Sequence, residues 1–313
     1  MPDSATSLRG RPAIRCVRVH PASDRVRTGT ASAAYAPTVP ILLGVLASLF
    51  IGVSDTFGRA SARRADSISH VGTQMLTGAV VALPVVAVLG SRFIASDVLS
   101  GALSGALIAC GLAVVYRGMA EASSAVVAPL AAVLAALVPL VWDLAAGTRL
   151  EGLEIVGSAV AISSLGLTTF DPDLGNRVRS GLILAVAGGV LLGLAVALAA
   201  GTSEDSGAWP AVSQRATGFL AMIPLAWRRS VPIILPPGVR RFGVMGGIAG
   251  AAGIICWIIG GQRGDLGTVS VVSSTYPAVV AVLAVVFDED RVRWWQAIGI
   301  GGAIAGSGLI ALA

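Results

Sequence analysis

Apolar runs and short charged breaks alternate along the chain from residue 39 to residue 313. Each run is close to the roughly 20 residues that a helix needs to cross a bilayer core of about 30 Å. The runs lack the period-two alternation of barrel strands, and helices satisfy their own backbone hydrogen bonds in lipid. The pattern therefore predicts an all-α integral membrane protein with ten transmembrane helices. The predicted spans are 39–58, 70–90, 97–117, 122–146, 153–170, 180–200, 208–227, 242–262, 265–287 and 294–313.

The composition supports a membrane protein and excludes several soluble classes. Apolar residues make up 55% of the chain and charged residues only 12%, against about 25% charged residues in a soluble domain. So little charge cannot solvate the surface of a cytosolic enzyme, a secreted domain or a nucleic-acid-binding protein. All 22 basic residues are arginine, so the lysine of a Walker A loop is missing and ATP-driven pumping is not expected. We expect the net charge of +5 to lie in loops beside anionic lipid.

The two halves of the apolar region repeat each other. The second and seventh spans share their polar and special positions at an offset of 140 residues. Five spans in each half is an odd number, so the second half is predicted to be inverted relative to the first. Inverted repeats are a recurrent plan of transporters, with the substrate site near the membrane midplane. The matching positions are Thr73, Gln74, Thr77, Gly78 and Pro84 in the first half and Ser213, Gln214, Thr217, Gly218 and Pro224 in the second.

The chain is predicted to have four parts. Residues 1–38 are rich in arginine and lack apolar periodicity, which predicts a disordered basic tail. A transit peptide or a tail without function would have the same composition. The first five-helix repeat is predicted over 39–170, an inter-repeat linker over 171–179, and the second five-helix repeat over 180–313.

The end of each half carries a further pattern. In the second half Pro277 is followed by the charged turn 288–291 (DEDR) and then by Gly299. The first half has the same order near its end, with the basic residue Arg149 followed by Gly157. Two five-helix repeats with this ending resemble the EamA family of the drug/metabolite transporter superfamily. The resemblance implies a secondary exporter of metabolites, amino acids or drugs that needs no cofactor.

Polar residues on the second and seventh spans are the first candidates for substrate binding. Gln74 and Thr77 lie on one helical face, and Gln214 and Thr217 form the equivalent stripe. Polar groups in spanning helices tend to face the bundle interior, so the two stripes predict two walls of a polar cavity. Hydrogen bonds that only join helices are the alternative. Arg215 beside Gln214 is a candidate for binding an anionic or carboxylate group, or for reaching the near interface.

Other candidates lie on the first, eighth and ninth spans. Asp55 is the candidate for proton coupling, and an ion pair with Arg59 four residues later is the alternative. On the ninth span, a gate or a substrate contact is one interpretation, and a static kink at the nearby proline is the other. Trp257 is either a cavity aromatic or a packing residue. The ninth-span candidates are Ser273, Ser274 and Tyr276.

The preferred function is a secondary transporter, not an enzyme, that exports a small organic metabolite, amino acid or drug by alternating access. A non-transporting membrane subunit and a membrane-embedded enzyme acting on lipid-linked substrates are the alternatives. The two His and three Cys are too scattered to form a metal site, so no metal or cofactor is expected. We expect a multi-pass protein of the plasma (inner) membrane, a monomer or homodimer, whose partners are the lipid bilayer and a small-molecule substrate. The loop arginines leave its orientation open.

Overall fold

The computed structural model describes residues 38–122, 124–145, 152–169, 176–199, 201–263 and 294–311, with six single residues between 269 and 283. These ranges contain nine long helices, and the six single residues are also helical. Residues 1–37 of the predicted tail and 171–175 of the predicted linker lie outside the described residues. The helices are α1 (Thr38–Ala62), α2 (Ser67–Val88), α3 (Ala95–Glu121), α4 (Ser124–Ala145), α5 (Gly152–Thr169), α6 (Asn176–Ala199), α7 (Trp209–Arg229), α8 (Pro237–Arg263) and α9 (Trp294–Ala311).

The protein has an apolar exterior and buries several polar side chains within its apolar interior, unlike a soluble domain. Large aliphatic side chains such as Val80 and Val88 on α2 are exposed, at 66% and 83%. On the same helix His70 and Gln74 are buried. An exterior of this kind is stable in lipid and not in water. Among the described residues, α1, α2, α3, α6 and α8 are long and apolar enough to cross a membrane. The count of ten spans stays a prediction.

The helices pack in pairs that correspond between the two halves. α1 packs along α8, and α3 packs along α6; each pair joins the first helix of one half to the third helix of the other. Likewise α3 contacts α7, and α2 contacts α8, while the two second helices, α2 and α7, contact each other. Under exchange of the two halves, the contact of α1 with α8 corresponds to that of α6 with α3. The contact of α3 with α7 corresponds to that of α8 with α2, and the contact of α2 with α7 corresponds to itself.

Glycines allow the close approach between the halves. A Cβ atom on Gly247 of α8 would lie 2.7 Å from the carbonyl oxygen of Gln74. In the other half, a Cβ on Gly105 of α3 would overlap the carbonyl oxygen of Gln214. Because both helix pairs touch backbone to backbone, only glycine fits at these two positions.

Each end of the helix pair α2 and α7 is fixed by a connection from the other half. At one end Asp97 of α3 accepts hydrogen bonds from the backbone N–H (2.9 Å) and hydroxyl (2.7 Å) of Ser203, in the connection between α6 and α7. At the other end Leu235, between α7 and α8, donates its backbone N–H to the Thr73 hydroxyl of α2 at 2.9 Å. The connections therefore hold the halves together at both membrane surfaces.

Asp97→Ala is expected to lower the free energy of unfolding by about 2 kcal/mol, because it removes two hydrogen bonds to a carboxylate. The measurement is thermal unfolding of the purified protein in detergent. Asp205→Ala is the control, since the Asp205 carboxylate is exposed and lies 4.0 Å from Arg92; exposed ion pairs contribute about 0–1 kcal/mol. Equal destabilisation by the two variants would contradict this account.

Candidate functional site

A chain of directed hydrogen bonds joins three helices of the first half in the protein interior. Gln74 Nε2 on α2 donates to the hydroxyl oxygen of Tyr116 on α3 at 3.3 Å. That hydroxyl donates to Asp55 Oδ1 on α1 at 2.8 Å. Gln74 and Tyr116 are fully buried and Asp55 is 7% exposed. The carboxylate predicted to couple protons therefore lies inside the bundle, and the described residues contain no ion pair between it and Arg59.

Arg215 of α7 brings the second half into this cluster. Arg215 is 4% exposed, so its side chain lies inside the helix bundle. Nη2 donates to the Gly250 carbonyl of α8 at 2.5 Å, and Nη1 lies 3.6 Å from Met75 Sδ on α2. A Cβ atom on Gly250 would meet Ser54 Oγ, Arg215 Nη2 and Gln74 Nε2, so the guanidinium lies beside the glutamine end of the hydrogen-bond chain. The interior thus contains a basic residue of the second half beside polar residues of the first.

Arg215 and Met75 occupy corresponding positions, 140 residues apart, and touch each other. Gly78 of α2 faces the aliphatic part of Arg215, and its counterpart Gly218 of α7 faces Met75. Exchanging the two halves turns one of these contacts into the other, so both lie at the centre of the contact between the halves. The Arg215 guanidinium is therefore central, and because its counterpart is a methionine, the two halves differ in charge at this position.

Two serines fix the orientation of the two glutamine amides. Ser54 of α1 donates its hydroxyl proton to the Gly246 carbonyl at 2.8 Å, so its oxygen is left to accept a proton from Gln74 Nε2 at 2.7 Å. Ser104 of α3, also in the first half, donates to the Ala195 carbonyl of α6 at 2.8 Å and accepts from Nε2 of Gln214, the glutamine of the second half, at 3.0 Å. A hydroxyl has one proton, so each glutamine must turn its NH₂ group to the serine.

Several buried polar atoms have no hydrogen-bond partner among the described residues. Those in and beside this cluster are Oε1 of Gln74 and of Gln214, Nε of Arg215 and both ring nitrogens of His70. The His70 ring stands edge-on to the Tyr116 ring, with centroids 5.3 Å apart. Buried polar atoms are almost always hydrogen-bonded, and leaving one unsatisfied costs about 1–3 kcal/mol. These atoms can therefore bind a polar molecule in the protein interior.

Two segments of the chain, 38–170 and 179–312, match the EamA-like transporter family. The chain belongs to this family. The two matches correspond to the two halves whose contacts are reciprocal, and the family hit identifies the chain as a multi-pass membrane protein of a transporter family. No curated protein matches its sequence. A solved crystal structure at 19% identity superimposes with a TM-score of 0.61 over 86% of this chain and 94% of that chain, which shows a shared fold.

Two of the other predicted site residues of this EamA-like transporter, Thr77 and Tyr276, pack inside the helix bundle. Thr77 is half-buried, and its side chain packs against Gly247 of α8. Tyr276 is half-buried and packs against the main apolar core. Thr217 is half-buried, and the buried Ser273 takes part in polar contacts. Ser274 lies outside the described residues.

Trp257 lies apart from the cluster. It packs with Ala211, Ile254 and Ile258 in a separate apolar group, and lines an open pocket with Gln262 near the end of α8. It follows Gly250 by seven residues, about 10 Å along the helix. The structure therefore does not bring Trp257 together with the Arg215 cluster.

The sequence analysis missed Ser54, Ser104 and the role of Tyr116. A single serine in an apolar helix is a common packing residue, so its position alone gives no signal. The offset between the halves does not find them either: Ser54 corresponds to Ala195, and the serine that binds Gln214 of the second half is Ser104, which lies on α3 of the first half. Only the contacts between helices show that each of the two serines accepts a hydrogen bond from a glutamine amide.

Tyr116→Phe is expected to destabilise the EamA-like transporter by about 2 kcal/mol, because a buried carboxylate loses its hydroxyl donor. Thermal unfolding in detergent measures the change. Tyr276→Phe is the matched control, since no described hydrogen bond involves that hydroxyl, and it should change stability by less than about 0.5 kcal/mol. A Tyr116→Phe protein as stable as the control would show that Asp55 does not depend on this bond.

Proposed function

We propose that the protein is a secondary transporter of the plasma (inner) membrane that exports a small organic metabolite, amino acid or drug by alternating access. Its ten helices would form two inverted five-helix repeats that rock around a shared interior site. The observation that carries the proposal is the set of unsatisfied buried polar atoms on Gln74, Gln214 and Arg215. These atoms lie where the halves meet, which is where inverted-repeat transporters bind substrate.

The reciprocal contacts support the inverted arrangement. Gln74 faces Gly247 and Gln214 faces Gly105, so the same glutamine–glycine contact occurs once in each direction. Five helices per half is an odd number, and an odd number reverses the direction of each corresponding helix. One packing arrangement used twice in opposite directions gives two conformations of similar energy, which alternating access requires.

Each site residue then has a role that follows from its atoms. The Oε1 atoms of Gln74 and Gln214 would accept hydrogen bonds from the substrate, and Arg215 would donate through Nε. Asp55 would exchange a proton, since a buried carboxylate changes its preferred state when a charge arrives beside it. Thr77 and Thr217 would line the path of the substrate. Ser273, Ser274 and Tyr276 would either contact the substrate or allow the ninth helix to bend as a gate.

The proposal is tested by finding a ligand and then moving it. Purified protein is screened by thermal shift against amino acids, other metabolites and cationic drugs, and a radiolabelled hit is loaded into proteoliposomes. The expected result is release of the hit through wild-type protein at least tenfold faster than through protein-free liposomes. Gln74→Ala and Gln214→Ala should each slow release strongly. Wild-type protein that binds a hit but never moves it would support a non-transporting subunit and overturn the proposal.

Proton coupling has its own test in the same vesicles. An inward-directed proton gradient is imposed, and the release of the hit is compared between wild type and Asp55→Asn. The gradient is expected to accelerate wild type and to have no effect on the variant. Transport unaffected by any imposed ion gradient would remove the coupling, while leaving the transporter itself in place.

A further inference from the structure

One end of the protein is strongly basic. Arg63 and Arg64 follow α1, Arg228 and Arg229 end α7, and Arg240 and Arg241 lie in the first turns of α8; all six are exposed. We call these six residues the arginine face. The acidic residues described at this end are Asp66, which is exposed, and Glu121, which is half-buried and already pairs with Arg117 at 2.8 Å.

The opposite end has no comparable excess of positive charge in the described residues. Arg92 lies 4.0 Å from the Asp205 carboxylate, and Arg263 lies 4.0 Å from that of Glu204. Asp97 adds a third carboxylate there and is bound by Ser203. The contrast between the two ends shows that the arginine face is a local feature and not a consequence of general basicity.

Two members of the arginine face approach a single aromatic ring. The guanidinium carbons of Arg64 and Arg241 lie 5.0 Å and 5.1 Å from the centroid of the Phe242 ring. Neither guanidinium has a carboxylate partner in the described part of the chain, although like charges so close repel each other. The ring fixes both side chains by cation–π contact, which leaves a rigid pair of positive charges that an anion can bridge.

Helix α8 adds to the positive potential at the same place. Arg240 and Arg241 lie near its N-terminus, where the helix dipole already places partial positive charge and where cations are unfavourable. Arg240 binds the Leu235 carbonyl through Nε, which holds its guanidinium at this end of the helix. Basic residues placed against the dipole are stabilised when an anion binds between them.

We propose that the arginine face, centred on Arg64, Arg241 and Phe242, binds the phosphate headgroup of an anionic phospholipid. The partner is a lipid because these residues lie at the ends of membrane-crossing helices, at headgroup depth. Trp227 stands beside Arg228 at the end of α7 and is 84% exposed, as an aromatic anchor at the bilayer interface would be. A phospholipid supplies one phosphate anion at that depth and apolar tails for the adjacent exterior.

The test measures binding of phosphatidylglycerol and phosphatidylcholine to purified full-length protein in detergent by native mass spectrometry. Wild type is expected to bind phosphatidylglycerol at least tenfold more tightly. Arg64→Gln combined with Arg241→Gln should weaken that binding by about thirtyfold, since each arginine at an anionic surface contributes about a fivefold effect. Arg92→Gln combined with Arg263→Gln, at the opposite end, is the matched control and should leave the affinity unchanged.

Four further outcomes decide the proposal. Equal binding of the two lipids by wild type overturns it, as does an equal loss in the two double variants. Full competition by inorganic phosphate would identify a soluble anion as the ligand and also overturn it. Where the Arg64 and Arg241 variant does not fold, the affinity of wild type for phosphatidylglycerol must fall as sodium chloride is raised, because salt screens exposed charges; a salt-independent affinity counts against it.

Discussion

Arg215→Met is expected to lower the free energy of unfolding by about 3–5 kcal/mol and to abolish transport. The substitution removes a buried guanidinium and leaves the buried Gly250 carbonyl without its donor. It also removes a positive charge from the interior that contains Asp55, and removing one member of a buried charged cluster has a cost of this size. Methionine is the residue that the first half has at the corresponding position, Met75, so the side chain fits the local packing of the fold. The loss of stability therefore reports on charge and not on volume.

A second variant separates the two effects. Asp55→Asn combined with Arg215→Met removes both charges, and we expect it to recover most of the lost stability, because no unpaired charge stays buried. Transport should not recover, since the arginine donor and the carboxylate are both missing. Thermal unfolding and release from proteoliposomes are measured on the two single variants and the double variant as a double-mutant cycle. Additive destabilisation in the double variant would show that the two residues do not interact.

The sequence predicted the fold because lipid restricts it so strongly. Runs of about 20 apolar residues can cross a bilayer core only as helices, so the helical spans follow from length and hydropathy alone. The repeat at an offset of 140 residues followed from Gln74, Gln214 and their neighbours, and the family match has the same two halves. Helix α7 is harder to recognise as a span, because Arg215, Arg228 and Arg229 lower its hydropathy.

The site was predicted only as far as single polar residues in apolar helices could show it. Gln74, Gln214, Arg215 and Asp55 stood out because polar groups in lipid are costly, and all four are buried. The sequence could not give their hydrogen-bond partners, because Tyr116 reaches Asp55 from a helix 61 positions later. Trp257 was left open between a cavity aromatic and a packing residue, because aromatic character alone does not distinguish a substrate contact from a packing contact; the structure shows it in a separate apolar group.

The halves differ in one informative way. The glutamines and glycines are the same in both, so the same packing of glutamine against glycine occurs in each half. Arg215 and Met75 differ, and so do Asp55 and its counterpart Val196. The charged residues Arg215 and Asp55 therefore have no charged counterpart in the other half, whereas the glutamine–glycine packing occurs in both halves. We infer that the repeated packing allows the movement and that the unmatched charged residues determine the selectivity.

Gly105→Ala is expected to lower the free energy of unfolding by about 3 kcal/mol and to remove most transport. The added Cβ would overlap the Gln214 carbonyl oxygen and lie 2.8 Å from its Cα and carbonyl carbon, so α3 and α7 must separate. Overpacking of this kind costs about 1–3 kcal/mol, and the clash here is with backbone, which cannot rotate away. Separation also breaks the bond between Gln214 and Ser104, which releases one of the two fixed amides.

Gly301→Ala is the matched control, because both glycines lie inside helices and receive the same methyl group. Among the described residues, no atom lies within 4 Å of a Cβ placed on Gly301 of α9. Alanine stabilises a helix interior by about 0.5–1 kcal/mol relative to glycine, so this variant should melt slightly higher than wild type and transport normally. Thermal unfolding and proteoliposome release of both variants make the comparison. If the Gly105→Ala variant also melts at a higher temperature than wild type, α3 and α7 are not in backbone contact. The close contact between Gly105 and Gln214 described above would then be refuted.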